Sequence, residues 1–432
     1  MEPHAVPDTD KVADGTPQAT LIAEHSLEIP PESNSPSCFY TSTRWSADGT
    51  CIIATTSDYE VSSFVLPTDL LDDSNNVKNL QPNATTRLPE AMQAISVAPY
   101  FTLSEPASQL FLTGCRDHPL QLYNAFPPAD TEVNTPICIY KLIRAETEEY
   151  ITPTSLLWEQ SGTHFICGSS NRLDYFDLSR TGSNSPVLTI PTIPSKRHVL
   201  KGGGVGMKGI VSSLSAGPMG GNHDSLVAAG TWTRWMGLYD LQRSNKATAN
   251  WSVADAEQAD FQLNLGGQGI AQTLWSPCGR YLVINERRAS GLLVYDVRGT
   301  GKLVSVLTGR PATTQQRLGC DTFQVMPAED GAVGAGFEVW AGSQDGRVVV
   351  WREVGLHYGA VEPAWSWQAH TSPTGSTALH PSGSVAATCS GGWQHVADEG
   401  IAGRYMPDPR GNLDIMSESA VKIWTIDENS TS

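Results

Sequence analysis

Basic residues are scarce in this chain of 432 residues: 28 Lys and Arg stand against 45 Asp and Glu, and all charged residues together make up 17%. The formal net charge of −17 argues against a protein that coats nucleic acid regardless of sequence, since such binding rests on cations neutralising phosphates. It leaves room for a local basic patch. No run approaches the roughly 18 apolar residues of a membrane helix, and residues 1–20 lack the basic start and apolar stretch of a secretory signal. The expectation is a soluble intracellular chain with neither a membrane nor DNA as partner. The eight cysteines (Cys38, Cys51, Cys115, Cys138, Cys167, Cys278, Cys320 and Cys389) are scattered without a Cys-x-x-Cys pair, which removes zinc-ribbon and thioredoxin-like readings. They read as small core residues of a reducing compartment. No Gly-x-Ser-x-Gly elbow anchors a nucleophile. The sequence therefore predicts no catalytic residue, no cofactor and no metal, and a protein that is not an enzyme.

What is present is repetition. Hydrophobic residues at 40% and aromatics at 8% supply a sizeable core, while 39 Gly and 28 Pro punctuate it with turns. One unit recurs: an apolar-aromatic pair, a Gly turn, a strand rich in small residues, a polar turn, and a strand ending in an aromatic. Arg44-Trp45-Ser46-Ala47-Asp48-Gly49 opens the first copy, Leu157-Trp158 the third, Leu274-Trp275-Ser276-Pro277-Cys278-Gly279 the fifth and Leu379-His380-Pro381-Ser382-Gly383 the seventh. The closing aromatics are Phe64, Tyr123, Phe176, Tyr239, Tyr295, Trp351 and Trp424, spaced by 59, 53, 63, 56, 56 and 73 residues. These spacings exceed the roughly 40–45 residues of a minimal WD40 unit, so the connecting loops are enlarged. Short alternating strands between turns such as Asp345-Gly346 cannot bury both faces of a lone unit, whereas a closed ring leaves few edges. The pattern predicts an all-β fold, a seven-bladed WD40-type β-propeller with degenerate repeats.

Residues 1–37, rich in Pro and acids, read as a disordered tail, 38–426 as the propeller and 427–432 as a short C-terminal tail. A chain segment from about residue 38 onward is expected to complete the last blade. Residues 67–90 and 181–200 read as long loops, and a Gly-, Asp- and Pro-rich insertion at 392–417 interrupts the last blade.

Several segments invite a functional reading. Gly204, Gly206 and Gly209 loosely match a phosphate-binding glycine loop, but a strand-like segment from Ile210 follows where a helix is needed, so a flexible connector fits better. Lys196, Arg197, His198, Lys201 and Lys208 could make that connector a basic lip. His370 and His380 read as hydrogen-bonding loop residues rather than ligands. Arg116, Arg172, Arg234, Arg287, Arg288, Arg317 and Arg347 stand at strand-connecting turns, expected after the third strand of a blade. If they share one face, an acidic protein carries one basic ring, and Trp232 and Trp235 beside Arg234 could stack on an unpaired base. Ordinary solvated turns, or pairing with neighbouring acids, explain the same arginines.

The stretch Asp117-His118-Pro119-Leu120-Gln121-Leu122-Tyr123-Asn124-Ala125-Phe126, the segment from Tyr140 to Asn171-Arg172, the glycine-rich loop before Gly209-Ile210-Val211-Ser212, the strand pair from Gly230 to Tyr239 and Thr313-Thr314-Gln315-Gln316-Arg317 resemble, in this order, the telomerase Cajal body protein family of WD40 proteins. The resemblance spans roughly residues 40–425. It implies a nuclear scaffold that binds small Cajal-body or telomerase RNA together with ribonucleoprotein (RNP) proteins. Fungal relatives resemble nuclear factors associated with pre-mRNA splicing, for which spliceosomal proteins are the implied partners. RNA contact carries over onto Arg116, Arg172, Arg234 and Arg317, and onto Lys196, Arg197 and Lys201.

Overall fold

The computed structural model describes residues 17–28, 38–72, 76–128, 131–144, 146–181, 186–194, 206–219, 226–324, 336–395, 413–416 and 418–427. Seven blade sheets, antiparallel apart from a short parallel fifth strand on two of them, organise these residues, and the one α-helix among the described residues is the short segment Ala256–Phe261. No helix there is long and apolar enough to cross a membrane. Blade 5 illustrates the plan: Ile270–Trp275, Tyr281–Glu286, Leu292–Asp296 and Lys302–Leu307 pair in that order from the centre outward.

Side-chain bonds between neighbouring innermost strands tie the ring together. Ser155 Oγ donates to the Val211 carbonyl at 2.7 Å and Ser213 meets Thr273 at 2.8 Å. Gln272 Nε2 donates to the Cys320 carbonyl at 2.8 Å, Asp321 accepts from the Leu379 amide at 2.8 Å, and Ser376 Oγ donates to the Thr43 carbonyl. Polar side chains serve here because they bridge strands that share no backbone ladder, and each buried hydroxyl needs a partner.

The seven closing aromatics occupy equivalent places in the third strands and all are buried. Each joins a cluster shared with the preceding blade. Tyr295 lies 5.7 Å from the Trp251 ring and Trp424 6.1 Å from Trp367, while Trp351 packs among Tyr281 and Val283. Aromatic rings supply the volume needed where blades diverge from the axis. The Asp345-Gly346 turn shows the local constraint: Gly346 has φ of +85°, and a Cβ there would lie 2.0 Å from the His370 carbonyl oxygen.

Blade 7 is closed from the other end of the chain. Gln18–Ser26 pairs antiparallel with Ala420–Asp427, from Gln18 opposite Asp427 to Ser26 opposite Ala420. This corrects two expectations: the segment 18–26 lies inside the propeller rather than in a disordered tail, and it replaces the stretch from residue 38 as the closing strand. Its polar, irregular sequence hid it, although Ile22 and Ala23 are buried at 1% and 0% exposure. The expected loops likewise contain outer strands, Ala84–Arg87 in blade 1 and Leu188–Pro191 in blade 3. Outer strands are short and half-exposed, so they lack the apolar alternation that marks inner ones. Within the 392–417 insertion, Trp393–His395 pairs with Leu413–Ile415 as a small ladder.

Candidate nucleic-acid interface

Antiparallel succession brings two kinds of connection to the same end of every blade: the turn between second and third strands, and the link from a fourth strand to the next blade. Arg116 follows Leu110–Cys115, Arg234 lies between Leu226–Thr231 and Trp235–Asp240, and Arg287 and Arg288 follow Tyr281–Glu286. Arg172 and Arg347 open third strands, and Arg317 sits in the link before Cys320–Gln324. The basic turns thus come after the second strand, not the third as expected, and topology gathers all seven arginines on one face of the disc. Lys196, Arg197 and Lys201 lie outside the described residues.

Their surroundings differ. Arg116 is exposed and forms no ion pair among the described residues, and Arg288 is likewise exposed. Arg172 is committed to buried Asp174, through Nε at 2.7 Å and a second bond from Nη2. Arg347 faces Asp345 at 3.6 Å. Arg234, held at φ of +62°, forks onto Glu286 with bonds of 2.8 and 3.0 Å and also approaches Asp255 and Glu257. Burial pushes the Glu286 carboxyl above its usual range, against which the Arg234 bond acts. Trp232 is 49% exposed, and the ring it offers is covered by Arg287, whose guanidinium carbon lies 5.4 Å from its centre.

The connector before blade 4 is built around Gly206 (φ +81°) and Gly209 (φ +109°), whose amide donates to Asn171 at 2.7 Å. It leads into the inner strand Val211–Ala216. His370 occupies a hydrogen-bond chain: the Trp424 indole N–H donates to Thr388 Oγ1 at 2.9 Å, Thr388 lies 2.8 Å from His370 Nε2, and His370 Nδ1 lies 3.1 Å from Glu418. The only order that satisfies each group gives His370 a proton on Nδ1, donated to the carboxylate.

The central channel holds charged residues that the repeat pattern concealed. Arg44 is on the innermost strand of blade 1, where blades 3, 5 and 7 carry Leu157, Leu274 and Ala378; that contrast was the visible signal. Arg310 is buried, its guanidinium donating to the Gly342 and Leu318 carbonyls and to Asn285 Oδ1 at 2.8, 2.8 and 2.9 Å. Burial lowers its pKa to about 10. Arg317 spans from the blade 5–6 link to the blade 4 carbonyl of Ser212 at 3.3 Å.

No family model matches the chain. Individual proteins do. Guanine nucleotide-binding protein negative regulator 1 of Schizosaccharomyces pombe is 27% identical over 74% of this chain and 71% of its own length. Telomerase Cajal body protein 1 of Bos taurus is 25% identical over 82% of this chain. Protein SWT21 of Vanderwaltozyma polyspora is 26% identical over 61% of it. The resemblance read from the sequence holds. The match covers 58% of the length of the bovine protein and 58% of the SWT21 protein.

Proposed function

We propose that this chain is a non-enzymatic, nuclear scaffold of ribonucleoprotein particles. It holds small nuclear, Cajal-body or telomerase RNA on the arginine-bearing face and RNP proteins on its sides, directing particle assembly or localisation. The observation that carries this reading is similarity over four-fifths of the chain, 82%, to a protein named telomerase Cajal body protein 1. The face supports it because propeller connections present side chains in a ring without disturbing the core. With Arg172, Arg234 and Arg347 bound to their own carboxylates, the RNA contacts fall to Arg116, Arg288, Arg317 and the connector containing Lys196, Arg197 and Lys201.

That neutralisation also favours a second reading, a purely protein-binding adaptor linked to pre-mRNA splicing. A net charge of −17 suits basic protein partners, and the fission-yeast relative is named for regulating another protein. Crosslinking the tagged protein in cells and sequencing the bound RNA separates the two. The scaffold reading expects small nuclear RNAs enriched over background and depleted by Arg116→Glu combined with Arg288→Glu. Recovery of protein partners without RNA would leave the adaptor reading standing.

A further inference from the structure

Three guanidinium groups lie at the mouth of the channel with a fourth buried behind them, and among the described residues none of the four forms an ion pair. Arg44 projects from the innermost strand of blade 1 and Arg317 crosses from the blade 5–6 link to blade 4. Arg287 bonds the Gln315 carbonyl at 2.5 Å and covers Trp232, while its Nε is buried without a hydrogen-bond partner. Arg310 stands behind them on neutral acceptors alone. Arg44 and Arg317 are solvent-accessible, yet protein surrounds them closely enough that burial lowers both pKa values, as it does for Arg287. Accessible surface inside a desolvating enclosure is what a side chain lining a wet channel has. The charges of Arg287 and Arg44 act on Arg317, so the three share one electrostatic space although they come from blades 5, 1 and the 5–6 link.

The carboxylate acting on Arg44 is Asp321, and both of its oxygens are already engaged by backbone amides, of Thr322 and of Leu379. Unpaired like charges held within reach of one another repel, and a bound counter-charge relieves that repulsion. Guanidinium forks match phosphate oxygens in geometry and charge. A chloride would leave most of these donors unfilled, whereas a phosphate has oxygens to accept from several at once.

We infer that the mouth of the central channel, between Arg44, Arg287 and Arg317, is a binding site for a phosphate group. The site shares Arg317 with the proposed RNA contacts without depending on them, since a small free polyphosphate and a nucleic-acid phosphate present the same chemistry to these residues.

The test uses the full chain and inorganic pyrophosphate, followed by calorimetry and by thermal unfolding against sodium chloride of matched ionic strength. Pyrophosphate is expected to raise the unfolding temperature in a saturable way, and Arg44→Gln with Arg317→Gln to weaken its binding at least tenfold. The same pair of substitutions is expected to leave the ligand-free unfolding temperature unchanged or higher, because it removes repulsion; a merely structural role would lower it. Arg243→Gln, on the exposed turn after Trp235–Asp240 and outside both proposed sites, serves as the control that keeps pyrophosphate binding. Competition by short oligonucleotides with and without a 5′-phosphate identifies the source. Competition by the phosphorylated strand alone assigns a terminal phosphate, equal competition assigns the backbone, and none, with pyrophosphate still bound, assigns a small free ligand. No saturable stabilisation of the unaltered protein, or equal stabilisation of the Arg44 and Arg317 variants, overturns the site. RNA crosslinking to the face is scored separately, so either reading can fail without the other.

Discussion

At the scale of single residues, the arginines divide by what they already hold. Arg234 is 15% exposed and its partner Glu286 3% exposed, so Arg234→Ala leaves a carboxylate buried without its counter-charge. Breaking such a pair costs about 3–5 kcal/mol, and chemical denaturation is expected to show a loss of that order. The loss should grow with pH: burial already raises the Glu286 pKa, and a raised acid loses stability as pH climbs through its folded value. A loss under about 1 kcal/mol at pH 8 would mean the pair is solvated in the manner of surface bridges. Arg234→Glu is consequently a poor probe of RNA contact, whereas Arg116→Glu alters charge without touching an ion pair.

The His370 chain makes a prediction of the opposite sign. Burial lowers the His370 pKa, and bonds from His370, Lys422 and Thr371 hold Glu418 far below the carboxylate range despite its own burial. Both groups bind fewer protons folded than unfolded, so their contribution is present at neutral pH and is lost on acidification, first for His370 below its unfolded value and then for Glu418. Asp321 runs the other way: burial pushes its carboxyl up to about 6, so its protonated form favours the fold as pH falls from there. Replacing His370 by Gln is expected to flatten the change in urea midpoint between pH 7.5 and 5.5. An unchanged slope would show that His370 titrates normally.

At the scale of elements, the strand Gln18–Ser26 has the clearest consequence. It covers the edge of Ala420–Asp427 and thereby locks the two ends of the chain together. Ile22, 1% exposed among Ile52, Phe64 and Ile423, should cost about 2–5 kcal/mol when cut to Ala. Removing residues 1–28 should unpair the outer side of Ala420–Asp427 and leave an exposed edge, seen as aggregation and loss of a single unfolding transition. A truncated protein that unfolds at the original temperature would show that the ring closes without this strand. The second and third strands were legible because burial on both faces gives them an apolar, small-residue signature. The closing strand was not, since Thr20, Glu24 and His25 break its alternation and its partner lies some 400 residues away, at Thr425, Lys422 and Val421.

At the scale of the molecule, seven aromatic closures with roughly even spacing identified the ring from sequence, because each blade must solve the same packing problem. The candidate face was legible only in part. Spacing placed Arg116, Arg172, Arg234 and Arg317 at turns, but not the partners that neutralise Arg172 and Arg234, which come from a neighbouring position on the strand and from the next blade. Arg44 passed as one letter of a repeat because its neighbours in space, Arg317 and Asp321, come from blade 6 and the link before it. With few unpaired cations among the described residues of a chain of net charge −17, the scaffold reading predicts an RNA affinity that falls with salt along a shallow slope, of order one unit of log K per log salt for each phosphate neutralised. A steep slope would point to a broader basic surface than the described residues contain.

The scaffold reading is tested most directly by mapping the peptides that crosslink to RNA in particles purified from cells. The account predicts crosslinks confined to the turns between second and third strands and the links between blades, including those bearing Arg116, Arg288 and Arg317. Crosslinks restricted to the opposite face, or RNA-free particles that retain their full protein complement, would contradict it.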